Sequence, residues 1–143
     1  MTAAALNGAL ARAEAHSPFL RKLITRHADL ADLLGAGDMA GALAAARIID
    51  ANMPVPTALR IAKARLALTL AIGDLADILP LEDVVGELSA FADLALDHAI
   101  RESIETLTPG AEPRGFAAIA LGKHGSRELN YSSDIDPILI FDP

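Results

Sequence analysis

Apolar positions recur at helical spacing along most of the chain, and capping or breaking residues separate one run from the next. Residues 7–15 predict a short Ala-rich helix. Ser17-Pro18 is a start signal, since serine caps and proline is tolerated at the first helical position. Phe19, Leu20, Leu23 and Ile24 then share one face. Residues 29–34 give another turn or two, ended by Gly35 and Gly37. Asp38 is placed to cap a helix carrying Leu43, Ala46 and Ile49 to about Asn52. Met53-Pro-Val-Pro56 is a break. Thr57 or the Pro56 region opens a long helix with Leu59, Ala62, Leu66, Leu70 and Ile72, which stops before Pro80. Pro80 opens the last helix, with Glu82 and Asp83 in the first turn, where the dipole favours acids. That helix carries Val84, Val85, Leu88, Phe91, Leu94, Leu96 and Ile104. The apolar residues of these last two helices exceed one stripe, as in helices that pack on several neighbours.

The period changes after Thr108-Pro109-Gly110. Residues 115–121 are a short continuous apolar run, expected as a buried strand. Gly122, Gly125 and Ser126 form a turn, and residues 127–131 read as a short helix or a loop. Residues 134–141 read as a second strand. The expected division is therefore residues 1–108, all helical, and residues 109–143, where strands begin.

Composition sharpens this picture. Of 143 residues, 52% are hydrophobic and 22% charged, which excludes a wholly disordered chain. Ala and Leu dominate and aromatics are only 3%, which favours helix over sheet. Twelve Lys+Arg against nineteen Asp+Glu give a net charge of −7, which argues against a nucleic-acid groove or an anionic-membrane binder. With no cysteine, thiolate metal sites and Cys nucleophiles are excluded. Uncharged stretches such as 66–73 and 115–122 fall far short of the roughly 20 residues that cross a bilayer. The start of the chain lacks a basic n-region and reads as helix, so the expected location is the cytoplasm.

The chemistry concentrates in residues 121–136, LGKHGSRELNYSSDID. Side chains at i and i+2 of a strand point to one face, so Asp134 and Asp136 would present carboxylates side by side. Such a pair repels unless neutralised, and Mg²⁺, bound by oxygen ligands and substrate phosphates, neutralises it. The Gly125-Ser126 turn lets backbone N–H groups approach a phosphate, and Ser126 adds a hydroxyl. Lys123 is a nearby base able to pair with phosphate charge, and His124 flanks the turn. Ser132 and Ser133 read as loop residues that position Asp134. His16, His27 and His98 read as caps or surface contacts. Arg60, Lys63 and Arg65 read as a solvated basic face.

Gly125-Ser126, seven intervening residues (127–133), then Asp134-Ile135-Asp136 resembles the signature of DNA polymerase β-type nucleotidyltransferases. The whole run resembles one family among them, the bacterial bifunctional glutamine synthetase adenylyltransferase/adenylyl-removing enzymes, in the wording of their N-terminal catalytic half. The stretches His16-Ser-Pro-Phe-Leu20 and Ala64-Arg-Leu-Ala-Leu68 resemble the same enzymes' N-terminus. The resemblance implies a mainly α fragment: a helical segment, then the first two strands of a truncated α+β nucleotidyltransferase domain. It implies Asp134 and Asp136 as catalytic metal ligands for Mg²⁺, and Gly125 and Ser126 as phosphate holders. The implied partners are glutamine synthetase, a PII-type signal protein, nucleotide (ATP or ADP) and orthophosphate. The implied reactions are removal of AMP from a tyrosine by phosphorolysis, releasing ADP, and attachment of AMP from ATP in the other half.

The chain departs from the family wording at His124 and Ser126, where Leu and Gly are expected, and at Pro137, which lacks an N–H and must sit at a strand start, an edge or an unpaired site. It ends before a third carboxylate and is expected to be inactive alone. The rival reading is a helical protein-binding module with a non-catalytic nucleotidyltransferase remnant.

Overall fold

The computed structural model describes residues 2–141. Its elements in order are α1 (Thr2–His16), α2 (Pro18–Arg26), α3 (Ala28–Gly35), α4 (Met39–Ala46), α5 (Val55–Leu75), α6 (Leu81–Leu107), β1 (Phe116–Ala120), α7 (Gly122–Gly125) and β2 (Pro137–Phe141). The protein is mainly α, with a single two-stranded sheet among the described residues. No helix among them is long and apolar enough to cross a membrane. The chain divides into two compact units, one up to Val84 and one from Val85 onward. The division falls inside α6, whereas the change from helix to strand follows Leu107.

In the first unit, α5 is the central helix and packs on α1, α2, α3 and α4. Leu66, Leu68, Leu70 and Ile72 are sealed from water, together with Leu6 of α1, Leu30 and Leu34 of α3, and Ala42 and Ala46 of α4. Burial on several sides of α5 explains its apolar positions beyond one stripe. The small alanines at the contacts let the helices approach closely.

The helix ends follow the expected chemistry. Ser17 Oγ accepts from Leu20 N at 3.2 Å, with Pro18 at the first helical position. Asp38 Oδ1 accepts from Gly41 N at 2.8 Å. Long side chains satisfy carbonyls left over at C-termini. Asn7 Nδ2 donates to Gly35 O at 2.9 Å, and Arg12 Nη2 donates to Leu75 O at 2.5 Å. Gly37 takes φ +88, a left-handed conformation that carries the chain from α3 to Asp38.

Several expectations need correction. α4 ends at Ala46, not near Asn52, because Arg47 closes it and the chain leaves helix before Ile49. Phe19 lies away from the core, 62% exposed, while Leu23 and Ile24 of the same helix are buried. Of the two roles expected for His27, cap or surface contact, it takes the first: it stands at the C-cap of α2 and is 5% exposed. Arg65 is not simply solvated, since it grips Asp29 through both guanidinium nitrogens, at 2.7 and 3.2 Å.

In the second unit β1 and β2 pair antiparallel, from Phe116 opposite Phe141 to Ala120 opposite Pro137. β1 is not a buried strand. Phe116, Ala118 and Ala120 are half-buried, while Ala117 and Ile119 on the other face are exposed. Ile138, Leu139, Ile140 and Phe141 of β2 are also exposed. A two-stranded sheet has too few layers to cover both faces of such apolar strands.

Candidate functional site

Pro137 opens β2 and pairs with Ala120, the last residue of β1. That first position of a strand suits a residue without an N–H. The pairing fixes the layout of the site. Leu121 leaves β1 and caps the single-turn α7, while Asp136 directly precedes Pro137. The Gly-Ser turn and the aspartate pair therefore leave the hairpin at the same end. The strand expected from residue 134 begins instead at Pro137, so Asp134, Ile135 and Asp136 lie in an unpaired segment just ahead of the ladder. Both aspartates are exposed.

The turn is held from within. Gly125 N donates to Leu121 O at 3.1 Å, and Ser126 N to Gly122 O at 3.0 Å. Arg127 N donates to His124 O at 3.0 Å, and Glu128 N to Lys123 O at 2.7 Å. These N–H groups are engaged inside the turn. Ser126 Oγ faces Glu128 Oε2 at 3.1 Å. Gly125 passes so close to Ala120 that a Cβ there would stand 2.6 Å from the Ala120 carbonyl oxygen, closer than side chains tolerate. Residues 127–131 form a turn and loop rather than a helix. In that loop, Asn130 N donates to Ser133 Oγ at 3.0 Å and Ser132 N to Asn130 Oδ1 at 3.0 Å. The Ser133 hydroxyl and the Asn130 side chain thus brace the loop that precedes Asp134.

Two further residues belong to this region and were not singled out in the sequence. Asp93 and Ser89 lie one turn apart on α6, on one face. Asp93 Oδ1 meets His124 Nε2 at 2.8 Å, and Asp93 Oδ2 lies 3.7 Å from Arg127 Nη1. Ser89 is fully buried, accepts from Leu129 N at 3.3 Å and donates to Val85 O at 2.8 Å. One face of α6 thereby anchors both sides of the Gly-Ser turn. His124 is 4% exposed and its Nδ1 has no partner. Arg127 sits at φ +60, an uncommon conformation for a residue with a side chain, just after the turn.

A cleft of about 260 Å³ lies between this face of α6 and the half-buried side of β1. Asp93, Asp97 and Arg101 line it with Phe116, Ala118 and His124. Asp134 and Asp136 are not among its walls. Among the described residues no three potential ligand side chains gather into a metal cluster. Carboxylate oxygens are hard donors of the kind that could hold Mg²⁺ together with phosphates and water, and Asp134 and Asp136 offer two such groups in one exposed segment.

Strand, turn, acidic loop and strand follow one another in this order, with the turn and the acidic loop at one end of the hairpin. The sequence model of the family described as glutamate-ammonia ligase adenylyltransferase matches residues 7–143, and the chain belongs to that family. The bifunctional glutamine synthetase adenylyltransferase/adenylyl-removing enzyme of Caulobacter vibrioides is 36% identical over 95% of this chain and 16% of its own length. The protein of the same name from Xanthobacter autotrophicus is 36% identical over 97% of this chain and 17% of its own. That from Agrobacterium fabrum is 39% identical over 62% of this chain and 10% of its own. The chain thus spans less than a fifth of these curated relatives. No solved structure matches it.

Proposed function

We propose that this chain is part of the adenylyl-removing half of a bifunctional glutamine synthetase adenylyltransferase/adenylyl-removing enzyme. In this reading residues 1–108 are the helical segment, residues 109–143 begin the nucleotidyltransferase domain, and the chain is inactive without the rest. The observation that carries it is the shared exit of the Gly125-Ser126 turn and the Asp134/Asp136 segment from one end of the β1–β2 hairpin.

The reaction is phosphorolysis. An orthophosphate oxygen attacks the α-phosphorus of the tyrosine-bound AMP, the bond from phosphorus to the tyrosine oxygen breaks, and the phenolate takes up a proton. ADP and free tyrosine result. Asp134 and Asp136 would hold Mg²⁺, which would supply positive charge to offset the phosphate oxygens that must meet. Ser126 Oγ exchanges Glu128 for a phosphate oxygen, and the Lys123 ammonium offsets phosphate charge. With the N–H groups of Gly125 and Ser126 engaged, Gly125 serves by letting the turn lie against Ala120. The whole protein acts in the cytoplasm on glutamine synthetase, under a PII-type signal protein, with ATP for the opposite reaction.

In the whole protein, Asp136→Asn keeps the shape but removes a charge that holds the metal. Orthophosphate-driven AMP release should fall by on the order of a thousandfold, about 4 kcal/mol in the barrier. ATP-driven AMP attachment should persist, being assigned to the other half. Near-normal release by the variant would refute the assignment. The rival reading, a helical binding module with a non-catalytic remnant, draws on the self-contained core of the first unit. It requires binding to glutamine synthetase indifferent to both Mg²⁺ and Asp136→Asn.

A further inference from the structure

We propose that Arg26, His27, Thr57 and Arg60 form a binding site for a small phosphate-like dianion within the helical unit. They line a cleft of about 230 Å³, closed by Ile61 and Ala64. Arg26 ends α2 and His27 is its C-cap, while Thr57 and Arg60 lie in the first turns of α5. The positive end of that 21-residue helix favours negative charge beside it.

No acidic residue lines the cleft. Asp29, two residues beyond His27, is gripped by Arg65 at 2.7 and 3.2 Å. Among the described residues, neither Arg26 nor Arg60 has an ion-pair partner. Two guanidiniums without counter-charge persist here although the chain carries −7 overall. Their charge matches a dianion better than a single carboxylate, and guanidinium forks suit phosphate oxygens.

His27, which lines the cleft, also carries a polar atom shut off from water that the protein leaves unpaired. His27 is 5% exposed, and its buried Nε2 has no hydrogen-bond partner. Burial, followed by the charges of Arg65 and Arg26, holds its pKa below the ordinary histidine value, as expected beside a positive potential. The Thr57 hydroxyl adds a neutral donor. The volume is below the roughly 300–1,000 Å³ of sites for drug-sized molecules, so the occupant is phosphate or a small phosphomonoester rather than a whole nucleotide.

The test is a titration of the ¹⁵N-labelled chain with inorganic phosphate, replacing chloride at constant ionic strength. Saturable shifts are expected at the amides of Arg26, His27, Thr57 and Arg60. The midpoint should weaken about tenfold in Arg60→Gln and less in Arg60→Lys, as for loss of one charged contact. Both variants change an exposed side chain, and an unchanged far-ultraviolet circular dichroism spectrum verifies their fold. A parallel titration with O-phosphoserine separates the two sources, the occupant being the one with the lower midpoint. Shifts confined to residues 123–128, shifts that never saturate, or a midpoint indifferent to Arg60→Gln would overturn the site. The first of these would leave the reading of Asp134 and Asp136 standing, since that reading rests on the AMP-release assay.

Discussion

Asp93 shows how much one side chain can fix at the residue scale. It is half-exposed, yet it supplies the hydrogen bond on the buried imidazole of His124, whose Nδ1 already lacks a partner. Asp93→Ala would leave that ring without either partner and should cost about 1–3 kcal/mol. Amide exchange at Gly125 and Ser126 should accelerate, and unchanged exchange there would show that the pair does not hold the turn. His27 gives the pH dependence. Its folded pKa lies below the ordinary value of about 6.5, so the unfolded chain binds the proton first as pH falls. Its contribution to stability is therefore full above that value and is lost progressively as pH falls from it towards the folded pKa. Urea midpoints measured from pH 7.5 down to 5.5 should fall, and His27→Gln should flatten this decline. Equal slopes in both proteins would contradict it. At this scale the candidates legible in the sequence are those that are local. The acidic pair, the Gly-Ser turn and the loop serines are contiguous, whereas Asp93 and Ser89 sit among other polar residues of a long helix. Nothing in their spacing distinguishes them from a solvated face until the turn packs against them.

The element scale separates what short-range chemistry decides from what packing decides. Starts were legible because a cap is a local hydrogen bond: Ser17, Asp38 and the prolines near α2 and α5 act as their chemistry requires. The end of α4 was less legible, since apolar Ile48 and Ile49 continue a helical spacing that the chain abandons at Arg47. The start of β2 was misplaced because Asp134 and Asp136 alternate with Ile135 as strand residues do, while ladder pairing begins only opposite Ala120. The cap on α2 is directly testable. Ser17→Ala removes the acceptor for Leu20 N and should lower stability by about 1 kcal/mol, read as a shift in urea midpoint without a change in slope. An unchanged midpoint would mean that water replaces the cap at no cost.

For the whole molecule, the mainly α character followed from Ala and Leu content, and the transition to strands near residue 109 followed from the change of period. The contact division at Val84 and Val85 was not legible, because α6 continues through it as one uninterrupted apolar pattern. Nor was the exposure of the hairpin: an apolar run signals burial, but this sheet has only two strands among the described residues. Family membership joins these scales, since the match runs from residue 7 to 143 and includes both the helices and the acidic hairpin. In the proposed reading this hairpin serves phosphorolysis in the whole protein. The most direct measurement of this is the fate of ³²P-orthophosphate incubated with adenylylated glutamine synthetase and the whole protein. Label is expected in the β-phosphate of ADP with the unaltered protein and almost none with Asp134→Asn. Release of unlabelled AMP, or undiminished labelled ADP from the variant, would contradict it.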